Sequence, residues 1–171
     1  MSEELYSDGK WKIVRETASL PDGRTKTTER GYHFDTCHIL AFPTPKTVLV
    51  LREFRAFNKT WVWMIPSGKI DKENDPLAAA QRELQEETGF RAKSMKHWCS
   101  MVHSETYVPV SHFFIASDLL RDPLPQDEDE MIEVHELGLE EAIKRILESP
   151  SPRMSSAFAL LRYVREYPEA A

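Results

Sequence analysis

The segment Arg82-Glu83-Leu84-Gln85-Glu86-Glu87-Thr88-Gly89-Phe90 carries the side chains best suited to chemistry. On a helix, Glu83, Glu86 and Glu87 stand at i, i+3 and i+4, so their carboxylates leave one face within a single turn. Like charges at that spacing repel and weaken the helix unless a cation sits among them. Hard divalent ions, Mg²⁺ or Mn²⁺, take oxygen ligands of this kind and keep waters for a substrate phosphate. Taken alone, the three residues also describe a solvated acidic helix face, a common surface feature.

The elements that must hold this segment are readable around it. Pro76 in a first turn, the run Ala78-Ala79-Ala80, Leu77 and Leu84 on one face, and Gly89 just past the end predict a helix over 76–88. Upstream, residues 10–20 and 24–34 alternate and bear Thr and aromatic side chains, and Pro21-Asp22-Gly23-Arg24 between them suits a tight turn, which predicts a hairpin. Strands follow at 36–42 and 46–54, separated by Pro43-Thr44-Pro45; the run Val48-Leu49-Val50-Leu51 suits a strand buried on both faces. Further strands are expected near 93–102, 110–117 and 131–136. Helices are expected at 139–148 and 154–167, on either side of Ser149-Pro150-Ser151-Pro152. The pattern belongs to the α+β class, with helices packed on a mixed sheet.

Composition narrows the function. A chain of 171 residues with 41% hydrophobic and 29% charged side chains is long enough for one domain with a real core. No apolar run approaches the ~20 residues that span a bilayer, and Met-Ser-Glu-Glu-Leu-Tyr at the start is acidic, so neither export nor membrane insertion is expected. The net charge of −6 and the scattered Lys and Arg speak against a nucleic-acid partner. An acidic protein acting on a phosphate compound needs a metal ion to bridge carboxylates and substrate. Cys37 and Cys99 have no metal spacing and read as reduced thiols. The stretch Asp71 to Pro76 begins like a calcium loop, but Pro76 replaces the glycine that such a loop needs at its sixth position.

From Gly68-Lys69-Ile70-Asp71 through Phe90 the sequence resembles the signature of the Nudix hydrolases, G-x5-E-x7-R-E-U-x-E-E-x-G-U, with U a bulky aliphatic residue. With Phe90 accepted as the last apolar position, the one departure is Asn74, which stands where the family has its first Glu. In the family that Glu pairs with the Arg of the signature and braces the loop before the helix. Glu73 or Asp75 can partly take its place, and the departure bears on the placement of Arg82.

Beyond the signature, the chain resembles the subgroup that cleaves ADP-ribose and related nucleoside diphosphate sugars. Val48-Leu49-Val50-Leu51-Arg52-Glu53-Phe54-Arg55 looks like its strand ending in an aromatic-Arg pair, and Trp63-Met64-Ile65-Pro66-Ser67-Gly68 like its Trp-Glu-Leu-Pro-Ala-Gly lead into the signature. By this resemblance Arg55 binds the substrate diphosphate and the carbonyl of Ser67 is a metal ligand, while Met64 replaces a Glu that the subgroup often has. Trp61 and Trp63, alternating on one side of a strand, read either as core or as a stacking wall for a base, with Trp63 the substrate-binding candidate. Where the subgroup carries a small-Pro-Gly loop followed by a water-activating Glu, this chain has Ser104-Glu105-Thr106-Tyr107-Val108-Pro109, and Glu105 is the nearby carboxylate. The run Asp127-Glu128-Asp129-Glu130 resembles the subgroup's acidic lead into a late strand.

The resemblance implies an α/β/α sandwich on a mixed sheet, with a hydrolase domain over 36–171 and an N-terminal antiparallel β-hairpin over 1–35 that mediates a homodimer. It implies a cytoplasmic enzyme, dependent on Mg²⁺ or Mn²⁺, that hydrolyses the pyrophosphate bond of ADP-ribose or a similar nucleotide sugar. Glu83, Glu86, Glu87 and Ser67 are the expected metal ligands, and Arg82 orients the glutamates. Glu105, then Glu87, then the loop from Glu128 to Glu130 are the ranked acceptors of the water's proton. Two alternatives stay open. One is a different Nudix substrate, a nucleoside triphosphate or a dinucleoside polyphosphate, the latter suggested by Tyr107. The other is a nucleotide-sugar-binding regulatory module without turnover, which the complete carboxylate set disfavours.

Overall fold

The computed structural model describes residues 2–73 and 75–170. The chain opens with β1 (Ser2–Ser7), β2 (Lys12–Ser19) and β3 (Thr25–Tyr32), which form an antiparallel sheet of their own. β2 and β3 are the expected hairpin; Gly23, at φ +85°, lets the turn close with its N–H donating to the Leu20 carbonyl at 3.0 Å. β1 was not expected, because Ser2-Glu3-Glu4-Leu5-Tyr6-Ser7 shows no apolar alternation; pairing with β2 is what makes it a strand.

Alternation along β4 (Thr36–Ala41) sets the layers of the rest. Cys37, Ile39 and Ala41 join the buried cluster that includes Ala79, Ala80 and Leu84 of α1 (Pro76–Thr88). Leu40 and the following Phe42 join the opposite cluster, with Leu139, Ala142 and Ile146 of α2 (Leu139–Leu147) and Ala157, Ala159 and Leu160 of α3 (Met154–Glu166). A period of two thus feeds two cores from one strand and gives the α/β/α sandwich. β5 (Thr47–Arg55) is covered on both faces as its apolar run predicts: Val48 and Val50 enter the α2/α3 cluster and Leu49 the α1 cluster. Each such fully buried side chain contributes roughly 1.5–3 kcal/mol of transfer free energy.

β6 (Thr60–Met64), β7 (Ser67–Lys69), β8 (Phe90–Val102), β9 (Val110–Arg121) and β10 (Ile132–Gly138) complete the order. One sheet runs β7-β4-β9-β8, with β4 and β9 parallel and the other pairs antiparallel; a second runs β10-β5-β6. The three-residue strand β7 was not expected, since a glycine at its centre hides any strand signal, but it sets Gly68 opposite Cys37. No helix among the described residues is long and apolar enough to cross a membrane.

Candidate active site

α1 begins and ends as its sequence dictates. Asp75 caps the start by accepting the Leu77 N–H at 3.1 Å, and Gly89, at φ +75°, closes the end with its N–H on the Gln85 carbonyl. Between them the acidic residues converge on one arginine. Arg82 Nη1 lies 2.8 Å from Glu83 Oε1 and donates to Glu86 Oε2 at 2.6 Å, so a single nitrogen bridges two carboxylates. Its Nε donates to Glu73 Oε1 at 2.7 Å, and its Nη2 to Glu73 Oε2 at 3.3 Å and to the Lys69 carbonyl at 3.2 Å. The loop brace therefore comes from Glu73, while Asp75 serves the helix cap; Asn74 lies outside the described residues.

Glu87 is buried at 6% exposure, and its Oε2 accepts the Ser67 N–H at 2.8 Å. Burial, reinforced by the neighbouring charges of Glu83, Glu130 and Glu53, pushes its pKa well above the carboxylate range, against the Ser67 hydrogen bond. Glu83 is raised too, chiefly by burial. Space explains Gly68: a Cβ there would stand 1.9 Å from the Glu83 carboxyl carbon.

These residues fit a hard divalent cation. Glu83, Glu86, Glu87 and the Ser67 carbonyl offer oxygen donors only. The Glu83 carboxylate occupies the space that a Cβ at Gly68 would fill, and burial raises both Glu83 and Glu87, a cost to their charged forms that a cation relieves. Among the described residues no three acidic, imidazole or thiol groups are already gathered at one point, because Arg82 and Ser67 hold the carboxylates by hydrogen bonds.

A cavity of about 330 Å³ opens beside the cluster, lined by Glu83, Glu87, Ser67 and Gly68 together with Thr36, His38, Glu53, Arg55, Asp127, Glu130 and Arg153. Arg55 Nη2 is 2.6 Å from Glu53 Oε2 and 3.2 Å from Met64 Sδ. Glu130 is pushed up to about 7, first by burial and then by Glu53 and Asp127. His38 is driven down to about 3 by burial; its Nε2 is 3.1 Å from Thr36 Oγ1 and its ring is stacked on Phe113.

Residues 32–158 match the NUDIX domain. The chain belongs to the NUDIX family. Among this NUDIX protein's relatives, the ADP-ribose pyrophosphatase of Bacillus subtilis (strain 168) is 31% identical over 147 residues, covering 84% of this chain and 80% of that protein. The methanol dehydrogenase activator of Bacillus methanolicus is 29% identical over 150 residues, covering 86% and 81%. A crystal structure of an ADP compounds hydrolase superposes with a TM-score of 0.77, covering 100% of this chain and 95% of that one at 20% identity, a likeness of fold.

Within the NUDIX chain, the cavity gathers Arg55, Ser67, Arg82, Glu83 and Glu87 of the expected residues. Glu86 stands just outside it, held by Arg82 and 3.8 Å from Lys72 Nζ. Two expectations are corrected. Trp63 does not line the cavity: the strand alternation of β6 turns Val62 and Met64 inward, and Trp63 packs instead against His135 at 4.8 Å between ring centroids and under Arg145. Glu105 does not reach it either; it is exposed and its carboxylate is bonded to Lys26 Nζ at 2.6 Å. From the loop before β10, Glu130 does line the cavity. Glu53, His38 and Arg153 were not foreseen. Glu53 had a signal, since it lies two residues before Arg55 and so shares its strand face; Arg153, after a Ser/Pro stretch, had none.

Proposed function

We propose that the protein hydrolyses the pyrophosphate bond of ADP-ribose or a similar nucleoside diphosphate sugar, giving a nucleoside monophosphate and a sugar phosphate. The observation that carries this reading is one cavity that joins the carboxylates of Glu83 and Glu87 to the guanidinium of Arg55. A diphosphate needs both, because its oxygens repel an incoming nucleophile and must be neutralised where charge develops. The similarity to an ADP-ribose pyrophosphatase supports it.

Glu83, Glu86, Glu87 and the Ser67 carbonyl would hold Mg²⁺ or Mn²⁺, which when bound neutralises phosphate oxygens and makes a water more acidic. Arg82, fixed by Glu73, orients Glu83 and Glu86. Arg55, steadied by Glu53, binds the diphosphate. Glu130 takes the proton from the attacking water, since a carboxylate poised near 7 is suited to a general base at neutral pH. Water attacks one phosphorus, the bridging P–O bond breaks, and the second phosphate leaves with its electrons.

The N-terminal sheet supports a homodimer. Leu5, Tyr6 and Trp11 are exposed there and Val14 is its one buried hydrophobic residue among those described, so the sheet has little core of its own. A cytoplasmic location and a small nucleotide substrate, with no nucleic acid, complete the reading.

The test is phosphate release with Mg²⁺ and a coupled phosphatase across ADP-ribose, ADP-glucose, GDP-mannose, UDP-glucose, diadenosine polyphosphates and nucleoside triphosphates. Turnover centred on the diphosphate sugars is expected. Turnover only of triphosphates or dinucleoside polyphosphates overturns the substrate class.

A further inference from the structure

The cavity contains a cation that the chain leaves without a partner. Arg153 lines it from the turn that starts α3, and among the described residues its guanidinium makes neither a hydrogen bond nor an ion pair. Its neighbour Arg55 uses Nη2 on Glu53 at 2.6 Å and on Met64 Sδ, while the buried Arg55 Nε has no partner among the described residues. The one carboxylate between them, Glu53, is only 5% exposed and is ion-paired to Arg55 alone among the described residues. Arg153 thus brings a guanidinium without a partner among the described residues to the same cavity as Arg55, where an oxyanion can take hydrogen bonds from both.

The turn that carries Arg153 is anchored. The Arg153 carbonyl accepts the Ala157 N–H at 3.0 Å, and Ser156, buried three residues on, accepts the Ile65 N–H at 3.2 Å. Ser149 accepts the Trp63 N–H at 3.2 Å. The start of α3 is therefore docked on the end of β6, the strand whose Met64 touches Arg55. No side chain caps α3, so its first-turn N–H groups add partial positive charge to the same turn.

We propose that Arg153 and Arg55 form a two-guanidinium clamp for a phosphoryl group, the one of the substrate's two that the Glu83, Glu86 and Glu87 cluster does not serve. The clamp rests on the diphosphate reading of the site. Guanidinium groups are suited to it because each offers a planar fork of donors to phosphate oxygens. Arg153 is then a residue that sets affinity for the diphosphate.

Binding of ADP-ribose and of inorganic pyrophosphate, measured by calorimetry without divalent metal on the full chain, tests this in wild type, Arg153→Gln and Arg153→Lys. Steady-state kinetics with Mg²⁺ complete the test. Loss of a charged hydrogen-bond partner weakens binding by about 10- to 100-fold and raises KM for ADP-ribose similarly, with kcat changed by less than about threefold and partial recovery in Arg153→Lys. Arg153 is exposed, so the fold of both variants, followed by circular dichroism, stays as in wild type. Equal affinity of wild type and Arg153→Gln overturns the clamp and leaves hydrolysis standing, as does a fall in kcat with binding unmoved. Arg153-dependent binding of pyrophosphate by a protein that leaves ADP-ribose intact overturns the substrate instead. Failure of the wild type to bind either probe without metal overturns the clamp, while ADP-ribose left intact with Mg²⁺ overturns the hydrolysis reading.

Discussion

Arg82 holds the Glu73 carboxylate at both oxygens, Nε to Oε1 at 2.7 Å and Nη2 to Oε2 at 3.3 Å, while its Nη1 bridges Glu83 and Glu86. Glu73 is thereby coupled, through one guanidinium, to two carboxylates of the proposed metal site. Glu73→Ala is expected to lower stability by about 1–3 kcal/mol, as for a largely buried pair broken on one side, and kcat by about 10- to 100-fold through misplaced glutamates. Adding Asn74→Glu to that variant returns a carboxylate to the family's spacing and restores much of kcat. Thermal unfolding and kinetics read both; a Glu73→Ala protein as active as wild type contradicts the brace.

Gly68 makes a separable prediction. A Cβ there meets the flexible end of Glu83, so Gly68→Ala displaces a carboxylate rather than backbone. Stability is expected to change by less than about 1 kcal/mol, whereas kcat falls about 100-fold. A variant that loses stability with kcat intact contradicts the cradle.

Much of the fold was legible because it is local. Helix α1 is bounded by Pro76 and Gly89, and β2–β3 by the turn at Gly23, all marked by residues whose backbone preferences are strong. The carboxylates at 83, 86 and 87 were legible for the same reason. What stayed hidden is tertiary. Trp63 and Glu105 were matched by sequence neighbourhood, but strand alternation turns Trp63 to the other face and Lys26, from the N-terminal sheet, holds Glu105. Arg153 reaches the cavity from the start of α3, which Ser156 docks on the end of β6.

Glu130 acts as base only when ionised, so activity should rise with pH as that fraction grows. The kcat/KM profile is expected to climb through about 7 and then level. Glu130→Gln lowers kcat by about 10²- to 10⁴-fold and removes that inflection, while Glu105→Gln stays within a few-fold of wild type, roughly the scatter of neutral surface changes. The reverse ranking of the two variants contradicts the assignment.

His38 is expected to stay neutral in the folded protein far below the usual imidazole range, since burial drives it to about 3. An unfolded imidazole takes its proton near 6.5. Between those values the unfolded state binds the extra proton, so this contribution to stability is full above about 6.5 and is lost as pH falls. Nitrogen-detected NMR of the histidine rings checks the first statement, and the pH dependence of unfolding in His38→Phe, flatter than wild type over that window, checks the second. A His38 ring that titrates near 6 contradicts both.

Hydrolysis at this site is read by incubating the protein with ADP-ribose and Mg²⁺ and resolving the products by chromatography, alongside a Glu86→Gln, Glu87→Gln variant of unchanged fold. Stoichiometric AMP and ribose 5-phosphate from wild type, with a fall of orders of magnitude in the variant, is the predicted result. Intact ADP-ribose with wild type, or equal product from wild type and variant, rules out hydrolysis by these carboxylates.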